Sequence, residues 1–354
     1  MQHLRSWIVS ILFSLAFTGY SLAQIPVQDN LKLSDIRMHD PWMVADQASK
    51  TYYMYEGSGP QASSQHRSGV IAYTSKDLKS WSGPHLVFEV PDGSWADPAA
   101  GVWAPEVHLY NGKYYLLATL NNYKAPIAQP APAGNPRSVT HIDVTYGGAG
   151  WHLRGTQVFV SDSLLGPFRP ISDKPIPPSD YMSLDGTLYI EDGKPYMVYA
   201  HEWIQLVDGN MEAIQMTPDL SAAVGSPFYL FKASDSPWLG NRHETVNAPH
   251  PYVTDGPELY RSRSGKLLML WSSYDKGSYV EALAHSTSGK LEGPWKQDGI
   301  LVGEDSGHGM IFHAFDGRLM LVLHQPFDGR LARAKIYEVE DTGDTLRVKK
   351  LEYF

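Results

Sequence analysis

Residues 101–119 read GVWAPEVHLYNGKYYLLAT, and the prediction of the fold begins from this stretch. Two runs rich in β-branched and aromatic residues flank the pair Asn111-Gly112. Asparagine followed by glycine suits the positive-φ positions of a two-residue hairpin turn. The stretch therefore predicts two antiparallel strands joined by a tight turn, an arrangement that an ordinary β-sandwich could also use.

The same hairpin recurs along the chain. Its relatives are IEDGKPYMVYA (190–200), SRSGKLLMLWSS (262–273) and FDGRLMLVLHQ (315–325). A second shared stretch reads SKDLKSWSGP (75–84), SDSLLGPFRP (161–170), TPDLSAAVGSP (217–227) and STSGKLEGPW (286–295). The two halves alternate roughly every 50–70 residues, which is in the upper range for the blades of a propeller. Five units follow, at about 37–92, 102–172, 185–230, 255–298 and 307–354. We therefore predict an all-β protein, a five-bladed β-propeller, with a channel along its axis.

Short strand-like runs dominate the rest of the sequence, and long amphipathic helices are hard to find. Each run is bounded by Gly, Asp, Asn or Pro, as strands joined by turns should be. The runs are 51–55, 70–73, 113–119, 156–160, 195–200, 266–271, 280–285, 318–324 and 332–339.

The first residues indicate export. Arg5 precedes an apolar run at 7–17, and Ser21-Leu22-Ala23 supplies small residues for a cleavage site. We predict a signal peptide at 1–23, a secreted or periplasmic protein, and a single catalytic domain at 24–354. The run is too short to span a bilayer comfortably, and no later segment reaches that length.

Composition excludes several kinds of protein. The chain has no cysteine, so disulfides and thiolate chemistry are excluded. Its formal net charge of −9 lacks the basic footprint of a nucleic-acid-binding protein. Nucleotide-binding fingerprints, a serine nucleophile elbow and zinc-ligand spacings are missing too, so no organic cofactor is expected.

Acidic residues open three of the five units. Asp40 precedes the first strand, Asp185 opens the third unit, and Asp255 and Glu258 open the fourth. Each is individually also typical of an ordinary turn. Because residues just before the inner strand of each blade converge on the channel, we expect these carboxylates to meet there. An inverting glycosidase needs such a pair, roughly 6.5–9.5 Å apart, one to deprotonate water and one to protonate the leaving oxygen. A third carboxylate would raise the pKa of the acid.

The sequence resembles glycoside hydrolase family 43 over about residues 36–340. The motifs that carry the resemblance are HDPW (39–42), GVWAPEVHLYNGKYYLLAT (101–119), SLDGTLYI (183–190), TDGPELYR (254–261) and GHGMIFHAFDGRL (307–319). The resemblance implies that Asp40 is the general base and Asp185 the carboxylate that tunes the acid. The family acid is a Glu in Glu-Gly-Pro, but here the matching residue is Asp255. Glu258, Asp255 and Glu244 compete for the role, and the longer reach of Glu favours Glu258.

Several other residues are candidates for binding. The resemblance implies that His308 faces a metal in the channel, usually Ca²⁺, which would be mostly hydrated because calcium prefers oxygen ligands. A histidine that is simply hydrogen-bonded in the channel is the alternative. Candidate sugar contacts are Trp103, Trp42, Glu106, His39 and Trp203. The three tryptophans could instead be packing, and Glu106 could instead support the site or a neighbouring loop. The long Pro-, Ala- and Gly-rich loop from Lys124 to Gly150 is expected to lie over the channel mouth.

The activity implied is hydrolysis of a plant oligo- or polysaccharide. An exo-acting α-L-arabinofuranosidase comes first, and a β-xylosidase or arabinanase of the same fold is the alternative. Asp40 argues against the galactan-cleaving branch of the family, whose members tend to lack an aspartate base. Two alternatives differ from this activity. One is a propeller that binds carbohydrate without cutting it, and the other is a retaining enzyme that cleaves fructans.

Overall fold

The computed structural model describes residues 26–127, 150–206, 208–240 and 252–354. The predicted signal peptide, Glu244 and most of the predicted channel-mouth loop lie outside the described residues.

The described residues form five antiparallel sheets. Blade one holds β1 (Gln28–Leu31), β2 (Trp42–Asp46), β3 (Thr51–Ser58), β4 (Gly69–Ser75) and β5 (Trp81–Glu89). Blade two holds β6 (Trp103–Tyr110), β7 (Lys113–Pro126), β8 (His152–Ser161) and β9 (Arg169–Pro170). Blade three holds β10 (Ser183–Glu191), β11 (Lys194–His201), β12 (Asn210–Met216) and β13 (Ala223–Lys232). Blade four holds β14 (Asp255–Arg261), β15 (Leu267–Asp275), β16 (Ser278–Ser286) and β17 (Trp295–Val302). Blade five holds β18 (Gly307–His313), β19 (Leu319–Gln325), β20 (Arg333–Asp341) and β21 (Leu346–Tyr353).

This architecture confirms the predicted five-bladed β-propeller. Each of the nine predicted strand runs lies in or overlaps an observed strand. Two of the predicted hairpin turns have the expected geometry, because Asn111-Gly112 and Asp192-Gly193 all have positive φ. The sequence repeat missed one element, β1, which pairs with β5 and adds a fifth strand at the outer edge of blade one.

Helical structure is sparse in the described part of the chain. It consists of one α-helical turn, α1 (Trp203–Leu206), and 3₁₀ turns at Leu33–Asp35, Pro60–Ala62 and Ala233–Asp235. Within those residues, no helix has the length and apolar character that crossing a membrane would require.

The innermost strands β2, β6, β10, β14 and β18 contact one another around the axis and close the ring. Apolar side chains from neighbouring blades form the core between them. One cluster joins blades five, one and two through residues such as Met310, Met54 and Leu116, and another joins blades three and four through residues such as Met211 and Trp271. Burial of these faces is the main stabilising contribution, and it fixes the position of each inner strand.

The contact between blades five and one, here called the seam, has no strand exchanged across it. Blade one contains only β1–β5, and blade five contains only β18–β21. Hydrogen bonds cross the seam from Met38 N–H to the Ala332 carbonyl (3.0 Å) and from Phe315 N–H to the Tyr52 hydroxyl (2.8 Å). Non-covalent contacts therefore hold the ring closed.

Candidate active site

A repeated backbone feature aims residues from all five blades at the axis. One residue per blade has positive φ just where the inner strand begins: Asp40 (50°), Ala104 (42°), Asp185 (55°), Gly256 (48°) and His308 (53°). In blades two to five, the same position falls in an irregularity of the pairing between the two inner strands. Such bulges bend a strand and redirect its side chains. The repeat thus delivers two carboxylates and an imidazole from three blades to one place.

These residues open onto a cavity of about 370 Å³. Its polar wall consists of Asp40, Asp185, Asp255, Glu202, Arg37, Arg154 and His39, and its apolar wall includes Trp103, Trp203, Tyr274 and Phe327. Aromatic walls with a few converging polar groups are typical of a site for a small ligand. The expectation that acids of blades one, three and four surround one pocket therefore matches the geometry.

Asp40 is surrounded by imidazoles. Its Oδ1 lies 2.8 Å from His39 Nδ1, 3.2 Å from His308 Nδ1 and 3.4 Å from His324 Nδ1. The Asp40 backbone N–H donates to His324 Nδ1 at 3.2 Å. Burial alone would raise the pKa of Asp40, but His308 and His39 outweigh it and hold the pKa well below its usual range. Asp40 is therefore an ionised carboxylate at neutral pH.

Asp185 and Asp255 form a carboxylate pair. Their oxygens and a ring nitrogen of His308 lie within 4.8 Å of one another. Asp185 Oδ2 accepts the Gly256 N–H at 3.1 Å, and Asp255 Oδ2 accepts the Tyr279 hydroxyl at 2.8 Å. Burial, and then the charge of Asp255, raises the pKa of Asp185 well above its usual range. Two like charges so close cannot both ionise easily, so the pair holds a proton near neutral pH.

The structure does not place Glu258 with the other carboxylates. Its Oε2 accepts the Ile311 N–H at 2.8 Å, and burial raises its pKa well above the usual range, with Glu106 and Glu281 nearby. It lines a separate cavity of only about 10 Å³ beneath Asp40 and His308. The physical reason is the irregular pairing between Asp255 and Glu258, which directs the two side chains to different levels of the channel.

The predicted sugar-contacting residues divide in the same way. Trp103, Trp203 and His39 line the larger cavity, although Arg154 stacks on the Trp103 ring at 4.3 Å. Trp42 and Glu106 line only the small one. Trp42 Nε1 donates to the Val107 carbonyl at 2.9 Å, and Glu106 is bonded to His108 at 2.8 Å. The positions of these last two favour the packing alternative over sugar contact.

Glu202 and Arg154 are among the residues of the cavity that the sequence analysis missed. They form a salt bridge whose side chains are 2% and 1% exposed. Burial raises the pKa of Glu202, with Arg154 opposing and Asp255 adding to the effect. In AHEW (200–203), only the tryptophan was a candidate. Arg154 lies in a strand, and no sequence pattern there indicates a partner 48 positions away.

A metal site at His308 fits the structure poorly. Of the described residues, the potential ligands grouped with His308 are Asp185 and Asp255. These are the carboxylates that share a proton, which a cation bound to them would displace. The small cavity below has room for about one water-sized particle, so a largely hydrated calcium ion would need a wider channel. Calcium remains a prediction, and no step below depends on it.

Comparison with known proteins settles the family. The sequence profile described as Glycosyl hydrolases family 43 matches residues 33–353. The chain belongs to this family. An endo-arabinase structure from Bacteroides thetaiotaomicron is similar to this family 43 chain, with 33% identity, a TM-score of 0.73, and coverage of 90% of this chain and 100% of that one. The extracellular endo-alpha-(1->5)-L-arabinanase 1 of Bacillus subtilis is 22% identical over 305 residues, covering 79% of this chain and 80% of that protein.

More distant structures share the fold. A family 43 α-L-arabinofuranosidase structure from Clostridium thermocellum has 17% identity and a TM-score of 0.56, and covers 89% of this chain and 93% of that one. The family confirms the predicted class of enzyme. This family 43 protein is a glycoside hydrolase, and its substrate is a polysaccharide or a fragment of one.

Proposed function

We propose that this family 43 enzyme is secreted and hydrolyses α-L-arabinofuranosyl linkages of plant polysaccharides with inversion. The observation that carries the proposal is the convergence of an ionised Asp40 and the proton-holding pair Asp185–Asp255 on one cavity. Inverting hydrolysis needs one carboxylate of each kind. The extracellular relative in Bacillus subtilis supports export, as does the leader-like sequence at residues 1–23.

Two groups of the cavity take part in the reaction, Asp40 and the Asp185–Asp255 pair. Asp40 accepts a proton from a water molecule while the oxygen of that water attacks the anomeric carbon. The bond from that carbon to the leaving oxygen breaks with its electrons going to oxygen. The proton held by the Asp185–Asp255 pair then neutralises the leaving group. Product sugar is released with inverted configuration, and the carboxylates exchange protons with solvent to return to their starting state.

The proton donor in this proposal is Asp255 and no longer Glu258. Asp255 lines the cavity beside Asp185, whereas Glu258 lines the small cavity below. We expect Asp255→Asn to lose about 10²–10⁴-fold in kcat/KM on natural arabinosides and much less on activated aryl arabinosides, because a good leaving group needs little protonation. The measurement is a series of aryl α-L-arabinofuranosides of rising leaving-group pKa. Glu258→Gln is the matched control. A leaving-group dependence in Glu258→Gln and not in Asp255→Asn would return the role to Glu258.

Exo action remains the first expectation, and endo-arabinanase action is the second candidate. The observation in its favour is the 33% identity to the Bacteroides thetaiotaomicron endo-arabinase structure. Debranched arabinan, arabinose-decorated xylan and aryl β-D-xylosides, each scored by product identity, separate the three activities. Free arabinose alone indicates an exo enzyme, arabino-oligosaccharides indicate an endo enzyme, and xylose release indicates a β-xylosidase.

Product configuration tests the mechanism directly. Proton NMR of the first-formed sugar, recorded before mutarotation, should show inversion. Retention would contradict the water-activating role of Asp40. It would favour the fructan-type alternative, in which an aspartate is the nucleophile.

Calcium beside His308 is tested separately. Removal of metal with EDTA, followed by addition of CaCl₂, should lower and then restore the melting temperature if the ion binds. An unchanged melting temperature in both steps would exclude it.

A further inference from the structure

Glu202 is held rigidly at the rim of blade three. It follows β11 and precedes α1. Its N–H donates to the Met182 carbonyl at 2.8 Å, and its carbonyl accepts the N–H groups of Gln205 and Leu206, both at 3.0 Å. Gln205 in turn accepts the Met182 N–H at 2.8 Å. The backbone is therefore fixed on both sides, and the Glu202 side chain has a defined place in the cavity wall.

Only one of the two carboxylate oxygens of Glu202 is paired within the described residues. Oε1 binds Arg154 Nη1, while Oε2 is buried without a hydrogen-bond partner. Arg154 cannot turn to serve Oε2, because its other groups donate to Asn121 Oδ1 and contact His152 Nε2. A bidentate ion pair would have used both oxygens. This pair instead leaves one acceptor over.

A buried acceptor without a donor is costly, and native structures rarely keep one unless a ligand or water pairs it. Within the described residues, no oxygen of the other carboxylates of the cavity is both buried and without a partner. Asp40 faces three imidazoles, Asp185 accepts Gly256, and Asp255 accepts Tyr279. A sugar ring brings hydroxyl donors into the same space, and a charged acceptor binds a hydroxyl more strongly than a neutral one.

We propose that Glu202 Oε2 binds one hydroxyl of the sugar whose linkage is cut, and that Arg154 holds the carboxylate in position for it. The proposal deepens the function above and rests on it, because the hydroxyl belongs to the arabinofuranosyl residue in the cavity. Glu202 is then a substrate-binding residue that selects among pentoses, separate from the carboxylates that transfer protons.

Deoxy substrates test the contact without requiring a mutant. We would measure kcat/KM for 4-nitrophenyl α-L-arabinofuranoside and its 2-, 3- and 5-deoxy analogues. In the unmodified enzyme, one of the three deletions should cost about 10- to 100-fold more than the other two, the size of a hydrogen bond to a charged group. In Glu202→Gln, the penalty for that same deletion should shrink by about tenfold or more. The Gln oxygen will face the donors of Arg154, so its amide nitrogen will replace the acceptor at Oε2.

Two further variants keep the result interpretable. Glu212→Gln changes another buried glutamate of blade three, which binds Tyr199 and His201 outside the cavity, and should leave the deoxy pattern unchanged. The double variant Arg154→Met/Glu202→Leu removes both charges together, so no unpaired charge is left if the single variant does not fold. It should show the same loss of discrimination as Glu202→Gln.

Two results would overturn the proposal. Equal deoxy penalties in the unmodified enzyme and Glu202→Gln would mean that Glu202 only supports Arg154. A defect in Glu202→Gln that grows with leaving-group pKa would make it a proton donor. If the unmodified enzyme cleaves none of debranched arabinan, arabinose-decorated xylan and aryl α-L-arabinofuranosides, the proposed function fails instead. The contact is then judged by whether L-arabinose or D-xylose raises the melting temperature of the unmodified enzyme and not that of Glu202→Gln.

Discussion

At the scale of single residues, the asymmetry of Asp40 is informative. The contacts that described side chains make with its carboxylate fall on Oδ1, which three imidazole nitrogens approach. In the proposed mechanism, Oδ2 is thereby left to accept the proton of the attacking water. The hydrogen bond from the Asp40 backbone N–H to His324 and the following Pro41 hold this residue in a left-handed backbone conformation that few residues adopt. The base is therefore fixed in orientation as well as in charge.

Asp40→Asn should lower kcat/KM by about 10²–10⁴-fold or more, because an amide cannot accept the water proton. Its circular dichroism spectrum should be unchanged, since the amide fills the same space. Asp46→Asn, at the far end of strand β2, which Asp40 precedes by two residues, is the control and should retain full activity. A variant of Asp40 that keeps more than a tenth of the activity would show that another group activates the water.

Glu281 gives the molecule a predictable pH dependence of stability. It is 0% exposed, accepts Ser272 Oγ and Gly309 N–H on Oε2, and its pKa is raised to about 8, mainly by burial. The folded state therefore retains a proton that the unfolded chain loses above its ordinary pKa of about 4.3. The resulting stabilisation is complete below that value and is lost as pH rises toward 8.

The unmodified enzyme should thus be less stable at pH 8.5 than at pH 5.5, with Glu281 contributing about 2–4 kcal/mol of the difference at most. Glu281→Gln carries no titrating proton and should reduce this difference. Urea unfolding at both pH values measures it. An equal pH dependence in the variant would show that Glu281 is ionised in the folded protein at both pH values.

Sequence reasoning reached some site residues and not others, for reasons visible at this scale. Asp40 and Asp185 stand at equivalent points of a repeat, and Asp255 comes one residue before the matching Gly256, so their convergence could be predicted once the repeat was found. Glu258 lies only three residues beyond Asp255, yet strand geometry sends it to another level of the channel. Glu202 joins the site through a cross-blade partner, which no local pattern records.

At the scale of elements, close contact between blades depends on glycine, which has no side chain. Gly57 in β3 lies against the chain that leads into β6, and a Cβ at this position would be 1.9 Å from the Val102 carbonyl oxygen. Val102 and Trp103 line the cavity, so the glycine allows blade one to support the wall supplied by blade two. Backbone, unlike a flexible side chain, cannot give way cheaply.

Gly57→Ala should destabilise the protein by about 2 kcal/mol or more and lower activity with it, because the strand must shift away from blade two. Gly303→Ala is the matched control, since a Cβ there has no atom within 4 Å. Thermal melts of both variants beside the unmodified protein provide the measurement. A Gly57→Ala melt equal to that of Gly303→Ala would mean that the blades separate without cost.

The limits of sequence reasoning differ for elements. The strands were predictable because runs rich in β-branched and aromatic residues recur in each blade, and Asn-Gly or Asp-Gly turns recur in blades two, three and five. β1 was not, because QDNL is polar and mostly exposed and lies outside the repeat. Only pairing with β5 makes it a strand. A tertiary contact decides that element, and no local preference indicates it.

At the scale of the whole molecule, the seam differs from the other blade boundaries. Blades one to five are joined in order by the chain, but blades five and one meet without a covalent link or a shared strand. The proposed catalytic base is next to it, because Asp40 comes from blade one and its partners His308 and His324 come from blade five. Loss of the seam would therefore separate the base from two of its three imidazoles.

Two tyrosines of β3 allow the seam to be compared with a boundary between two blades that the chain joins. The Tyr52 hydroxyl accepts the Phe315 N–H across the seam, and the Tyr55 hydroxyl donates to the Leu164 carbonyl of blade two, both at 2.8 Å. Tyr52→Phe and Tyr55→Phe should each cost about 1–3 kcal/mol, because each leaves a polar group unpaired. The rate of heat inactivation should rise more for Tyr52→Phe, since nothing covalent resists parting there. Equal rates would mean that the ring does not open first at the seam.

Because of the seam, loss of catalytic activity should also be an early sign of thermal damage. A propeller that has parted by a few ångströms at this boundary keeps nearly all its strands, so its far-ultraviolet spectrum would look native while its base had lost its histidine neighbours. Warming should then switch off turnover reversibly, several degrees before the sheets themselves come apart. Cooling such a sample should restore the full rate as quickly as two blades can meet again, without any blade having to refold.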